Sequence, residues 1–132
     1  MIEDAMQERK RILIVEDSKI AQVLAKKVIL SFDNIEVDVA GDGESAINMF
    51  STNSYKMIFM DIGLPGMDGI QATLHIRELE QTGCHIPIIA LTANEDAGIK
   101  EGCIRAGMDD YLQKPLLHDD AKYVIDKYLQ GY

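Results

Sequence analysis

Apolar residues in this chain fall into short unbroken runs separated by segments patterned at helical spacing, and the alternation repeats five times from Arg11 onward. The runs Ile12-Leu13-Ile14-Val15, after Arg11, and Met57-Ile58-Phe59-Met60 carry no polar residue, and neither does Ile88-Ile89-Ala90-Leu91 after Pro87. Strands covered on both faces of a parallel sheet read this way. Ile35-Glu36-Val37-Asp38-Val39 alternates instead, which predicts a half-exposed edge strand. A short fifth strand is expected around Tyr111-Leu112. Between the strands, Ser18 can cap a helix whose apolar stripe is Ile20, Leu24 and Val28, and Asp42 can cap one carrying Ala46, Ile47 and Phe50. A third helix bears Ile70 and Leu74 and runs to about Glu80, with Asp68 as its cap. A fourth spans roughly Asp96–Ala106 and closes at Gly107, and the last carries Ala121, Val124, Ile125, Tyr128 and Leu129.

This (βα)5 order predicts an α/β domain built on a parallel sheet over residues 11–132. The polar residues 1–10 are expected to be a flexible lead-in or linker outside the first strand. The doubly wound, flavodoxin-like strand order 2-1-3-4-5 puts the alternating second strand at an edge and the first and third strands side by side. Ligands of such sheets bind beyond the carboxyl ends of the strands, where the order reverses.

Composition narrows the function. At 132 residues and 47% hydrophobic, the chain can bury one real core. A net charge of −9 argues against direct contact with nucleic acid or an anionic membrane. No apolar stretch has bilayer-spanning length, and Met1-Ile2-Glu3-Asp4 lacks the basic and apolar regions of a signal peptide, so a cytoplasmic setting is expected. Cys84 and Cys103 have no metal-ligand spacing and read as free thiols; His75, His85 and His118 are scattered surface or half-buried residues.

The chemistry gathers at the predicted rim. The first strand delivers Glu16-Asp17 to its carboxyl end and the third delivers Asp61. Carboxylates brought together need a proton or a cation, and Mg2+ suits an all-oxygen set, with the Gly63 carbonyl and waters completing six ligands. Thr92 follows the fourth strand and Lys114 the fifth, adding a hydroxyl and an amine. A carboxylate can accept a phosphoryl group as an acyl phosphate, provided the charge of both partners is neutralised. Asp61 is the expected acceptor, Lys114 a fixed cation for one phosphoryl oxygen, and Thr92 a donor to another. Glu16 is expected to act through a metal-bound water.

Glu16-Asp17, Met60-Asp61, Leu64-Pro65, Met67-Asp68-Gly69, Ala90-Leu91-Thr92-Ala93, Tyr111 and Lys114-Pro115 together resemble the receiver domain of two-component response regulators, over about Arg11 to Leu129. The resemblance implies a phosphoacceptor at Asp61, a Mg2+ site at Glu16, Asp17 and Asp61, and a phosphoryl-binding pair in Thr92 and Lys114. It implies an aromatic switch at Tyr111 driven by Thr92, a cis bond between Lys114 and Pro115, and tuning of phosphoryl lifetime at Gly63 and Asn94. It implies a histidine kinase or histidine phosphotransfer domain as donor, docking near the first helix (Ala21, Leu24 and Ala25 as contacts) and the loop after the fifth strand. The first acid is Glu rather than the commoner Asp.

Such a domain is a signalling module, catalysing only its own phosphorylation and dephosphorylation. Two other readings compete. One is a phosphate-independent scaffold. The other is an aspartyl-phosphate phosphohydrolase, against which stand Gly63, where a second Asp is needed, and the lack of room for a cap insertion. With no output domain in the sequence, the expectation is a stand-alone regulator or a receiver cut from a hybrid sensor kinase, and the loop wording and acidic opening favour the hybrid. Gly98 and Gly102 weaken the fourth helix, which predicts that it, the fifth strand and the fifth helix form a face that shifts on phosphorylation.

Overall fold

The computed structural model describes residues 9–93 and 97–129. Five parallel strands, β1 (Lys10–Val15), β2 (Ile35–Ala40), β3 (Met57–Asp61), β4 (Ile88–Thr92) and β5 (Asp110–Gln113), lie in the order β2-β1-β3-β4-β5. Five helices separate and follow them: α1 (Lys19–Leu30), α2 (Gly43–Thr52), α3 (Gly69–Leu79), α4 (Ala97–Ala106) and α5 (His118–Tyr128). This is the expected doubly wound architecture. The strands reach slightly further than the apolar runs, so that Lys10 joins β1 and Asp61 and Thr92 are the last residues of β3 and β4.

The unbroken apolar runs follow from two-sided burial. Successive side chains of a strand point to opposite faces. Leu13, Val15, Ile58, Met60, Ile88 and Ala90 therefore pack with Ala46, Ala72, Ile76 and Cys103 of α2, α3 and α4. Their neighbours Ile12, Ile14, Met57, Phe59, Ile89 and Leu91 pack with Ala25, Ile29, Ala121, Val124 and Ile125 of α1 and α5. Edge strand β2 is fully buried only at Ile35 and Ala40, and the apolar residues of its alternating run, Ile35, Val37 and Val39, all pack on the α1–α5 layer.

Two expected helix faces are corrected. Ile20 and Leu24 are exposed, at 75% and 51%, and the stripe that meets the sheet is Ala25 and Ile29. Positions 20, 24 and 28 form a stripe adjacent to 25 and 29, and the small Ala25 is what allows α1 to approach the sheet. Ala25 is accordingly a core residue and not a surface contact. Leu74 is exposed as well, and α3 buries Ala72, Thr73 and Ile76. The caps stand as expected: Ser18 accepts from Ala21 N, Asp42 from Ser45 N, and Asp68 from Gln71 N, with the Gln71 side chain returning the bond to complete a capping box. Gly107 closes α4 at φ +100°, a left-handed conformation that favours glycine. The opening of the fourth helix at Asp96, Asn94 and residues 1–8 of the lead-in lie outside the described residues.

Candidate functional site at the carboxyl ends of the strands

The strand order brings the ends of β1 and β3 together, and the six expected residues converge there. Glu16, Asp17, Asp61, Gly63, Thr92 and Lys114 all line one cleft of about 470 Å3. A larger depression, about 820 Å3, opens at the other end of the sheet beside Lys10, Tyr55 and Pro87, and none of the acids lines it.

Glu16 and Asp61 are held in the same way. One oxygen of each faces the Lys114 ammonium: Nζ lies 2.8 Å from Glu16 Oε1 and 3.2 Å from Asp61 Oδ2. The other oxygen accepts from a backbone N–H two residues along, Ser18 N at 3.0 Å for Glu16 and Gly63 N at 2.9 Å for Asp61. Both carboxylates are nearly fully buried, at 2% and 4% exposure. Asp17 differs, being exposed, and no described residue donates to its carboxylate. Among the described residues, Glu16, Asp17 and Asp61 form the single group able to hold a metal ion, with one ligand oxygen from each within 4.8 Å of the others. An all-oxygen set with one solvent-facing carboxylate suits a hard divalent cation.

The electrostatics follow from this packing. Burial raises the Glu16 carboxyl above its ordinary value, and the nearby Asp61 charge adds to the rise; the Lys114 and Ser18 hydrogen bonds offset only part of it. Burial pulls the Lys114 ammonium down, but its bond to Glu16 and the charge of Asp61 outweigh this, so its net shift is upward. The peptide between Lys114 and Pro115 is cis, as expected. Lys114 N also donates to the Thr92 carbonyl at 2.7 Å, tying the ends of β4 and β5. Thr92 is buried. Tyr111 is half-buried against the α3–α4 side of the core and pairs with Ala90, so by the two-residue period Tyr111, Ala90 and Thr92 share one face of the sheet.

Three contributors were not legible as site residues. Ser18 was read only as a cap, yet its N–H fixes Glu16. Gln22 donates its side-chain amide to the Glu16 carbonyl at 2.6 Å. Gly69 allows the start of α3 to sit on the Asp61 backbone: a Cβ there would overlap the Asp61 carbonyl oxygen. Its place in Met67-Asp68-Gly69 was the one signal available.

The family model described as response regulator receiver domain matches residues 12–126. The chain belongs to that family. The receiver is 37% identical, over 120 residues, to the sensor histidine kinase GacS of Pseudomonas protegens, an alignment covering 89% of this chain and 13% of that protein. The chain thus spans a small part of the curated histidine kinases it matches, between 4% and 16% of their lengths among those with the strongest likeness. Among solved structures, the receiver domain of sensor histidine kinase PA1611 from Pseudomonas aeruginosa, with magnesium in its active-site cleft, superposes with a TM-score of 0.83 at 35% identity, covering 93% of this chain and 99% of that one. The Saccharomyces cerevisiae receiver of Ssk1, solved with the histidine phosphotransfer protein Ypd1, gives 0.82 at 28% identity, covering 92% and 89%. Among the described residues, no helix of the receiver is long and apolar enough to cross a membrane.

Proposed function

We propose that this receiver accepts a phosphoryl group from phosphohistidine onto Asp61, in a cytoplasmic phosphorelay. The observation that carries the reading is Lys114 Nζ poised between Glu16 and Asp61 in a cleft that also holds Asp17 and Thr92. In the transfer, an Asp61 oxygen forms a bond to phosphorus as the N–P bond of phosphohistidine breaks, and the imidazole leaves neutral, keeping its ring proton.

The donor set of Glu16, Asp17, Asp61 and the Gly63 carbonyl fits Mg2+, because it offers only oxygens and leaves the Asp17 carboxylate open to solvent. Bound there, Mg2+ supplies the positive charge that lets a phosphoryl group approach a carboxylate. Asp17 and Asp61 would hold the ion, and Glu16, already committed to Lys114 and Ser18 N, would act on it through a bound water. Lys114 turns from the acids to a phosphoryl oxygen, and the Thr92 hydroxyl donates to another. Thr92 drawn toward the phosphoryl group alters the space beside Tyr111, which shares its face of the sheet.

The donor is a histidine kinase or a histidine phosphotransfer domain. The exposed side chains of Ile20, Val23 and Leu24 on α1 form the apolar patch it would cover, and Leu117 is exposed in the loop after β5. A parent histidine kinase would carry this domain as its receiver, in keeping with the small share of such proteins that the chain spans. The reading is tested by incubating the chain with a small-molecule phosphodonor and Mg2+ and measuring intact mass. Wild type should gain one phosphoryl group and Asp61→Asn none; equal labelling of the two would overturn the assignment.

A further inference from the structure

The turn that presents Asp17 is pinned at nearly every polar group. Glu16 N donates to the Ala40 carbonyl at 3.0 Å, which fixes the entry to the turn from the edge of β2. Ser18 N donates to the Glu16 carboxylate at 3.0 Å, and Gln22 N donates to the Ser18 carbonyl at 2.9 Å. What remains is the peptide linking the two acids. Its carbonyl, that of Glu16, lies past the end of β1 and takes its hydrogen bond from the Gln22 side-chain amide, at 2.6 Å. Gln22 reaches it from the second turn of α1, and the same amide would lie 3.9 Å from a Cβ at Gly41, where the chain leaves β2. One side chain therefore ties the metal-side turn to α1.

We propose that Gln22 is a positioning residue for the divalent cation: by fixing the Glu16–Asp17 peptide plane, it sets the direction in which the Asp17 carboxylate enters the cleft. The inference rests on the Mg2+ reading given above. Magnesium demands near-octahedral ligand directions, so its affinity responds to the aim of a ligand as well as to its charge. Asp17 is the acid that needs aiming, since Glu16 and Asp61 are each held by Lys114 and a backbone N–H, while no described residue holds the Asp17 carboxylate. Without the amide, water satisfies the Glu16 carbonyl but does not fix its direction. The partners that orient metal ligands typically change affinity by about 10- to 100-fold when removed.

The test is calorimetric titration of the whole chain with Mg2+ alone, for wild type, Gln22→Leu, Gln22→Glu and Asp17→Asn, with thermal melting in the absence of Mg2+ alongside. Both Gln22 variants lose the donor, and the backbone bond from residue 22 to Ser18 survives in each. The expected result is a Kd for Mg2+ raised about tenfold in both. Gln22→Glu separates aim from charge, because an added carboxylate near the cleft would tighten Mg2+ binding if charge alone governed it. Gln22 variants that bind Mg2+ as wild type does, or a Gln22→Glu that binds more tightly, would overturn the inference; so would a lowered melting temperature with unchanged Kd. Failure of the underlying metal reading looks different: wild type itself would not bind Mg2+, or Asp17→Asn would bind it equally well.

Discussion

Lys114 carries the charge balance of the cleft. Its folded pKa lies above the ordinary 10.5. A group raised in this direction contributes stability fully below its unfolded pKa and loses it only as pH climbs through the folded value, so the Lys114 contribution persists until strongly alkaline pH. Glu16 is also raised, above an ordinary 4.5, because burial favours its protonated form. Its contribution to folding is greatest below 4.5 and falls as pH rises through the folded value. The two shifts make a joint prediction for Lys114→Met without Mg2+. At neutral pH the variant holds two uncompensated buried carboxylates and should lose about 2 kcal/mol, less than a fully buried ion pair would because the lysine is partly exposed. As pH falls through the Glu16 range the carboxyl takes a proton, and the difference from wild type should narrow. Urea unfolding at pH 7 and at pH 4.5 measures this, and a constant difference would contradict the balance drawn here.

At the scale of elements, the sequence reading succeeds where one-dimensional pattern and three-dimensional environment coincide. The apolar runs of β1, β3 and β4 are visible because two-sided burial leaves no room for a polar residue, and Asp61 and Thr92 are visible because each closes such a run. The caps are visible because Ser18, Asp42 and Asp68 act within three residues of themselves. The α1 face was misread for the converse reason. Ile20, Leu24 and Val28 repeat at helical spacing as well as any core stripe, and only the sheet beneath decides that the adjacent Ala25 and Ile29 face inward. Gln22 and Gly69 are hidden because each acts on a backbone group several residues back, brought close only by the turn that follows β1 or β3. Gly69 gives the next prediction. A methyl group there would clash with the Asp61–Ile62 peptide: it would overlap the Asp61 carbonyl oxygen and lie 2.7 Å from Ile62 Cα and 2.9 Å from the Asp61 carbonyl carbon. None of these can rotate away, so Gly69→Ala should destabilise the fold by about 2–3 kcal/mol and displace Asp61. Asp68→Ala, which loses the capping box at the same helix start, should cost only about 1 kcal/mol and leave Asp61 labelling intact. Equal melting temperatures for the two variants would refute the steric account.

For the whole molecule, the sheet connects the site to one flank. Thr92 ends β4, Tyr111 pairs with Ala90 two residues earlier on the same face, and Ile99 of α4 and Tyr111 pack against the same core layer. A path of static contacts thus runs from Thr92 by way of Ala90 and Tyr111 to the layer that packs α4. The segment just after α4 is held by Arg77. The Gly107 carbonyl accepts two bonds from the Arg77 guanidinium, at 2.7 and 3.0 Å, and the same guanidinium holds Asp109 at 2.9 Å. Gly98 in the first turn of α4 and Gly102 at its middle are each about 1 kcal/mol less favourable to helix than alanine. A Cβ at Gly102 would meet only the movable end of the Ile70 side chain, at 3.4 Å, so the fold does not require glycine there by close packing against backbone. The physical consequence is a helix anchored at Arg77 and inexpensive to shift at its start, and such a segment responds to a small bias from the site. Amide exchange with and without beryllofluoride and Mg2+ should accordingly change most over residues 97–102 and least at 107–109, with β1 and β3 unaffected. Uniform change along α4 would locate the response in the whole helix, and equal protection with and without the mimic would remove α4 from the switch.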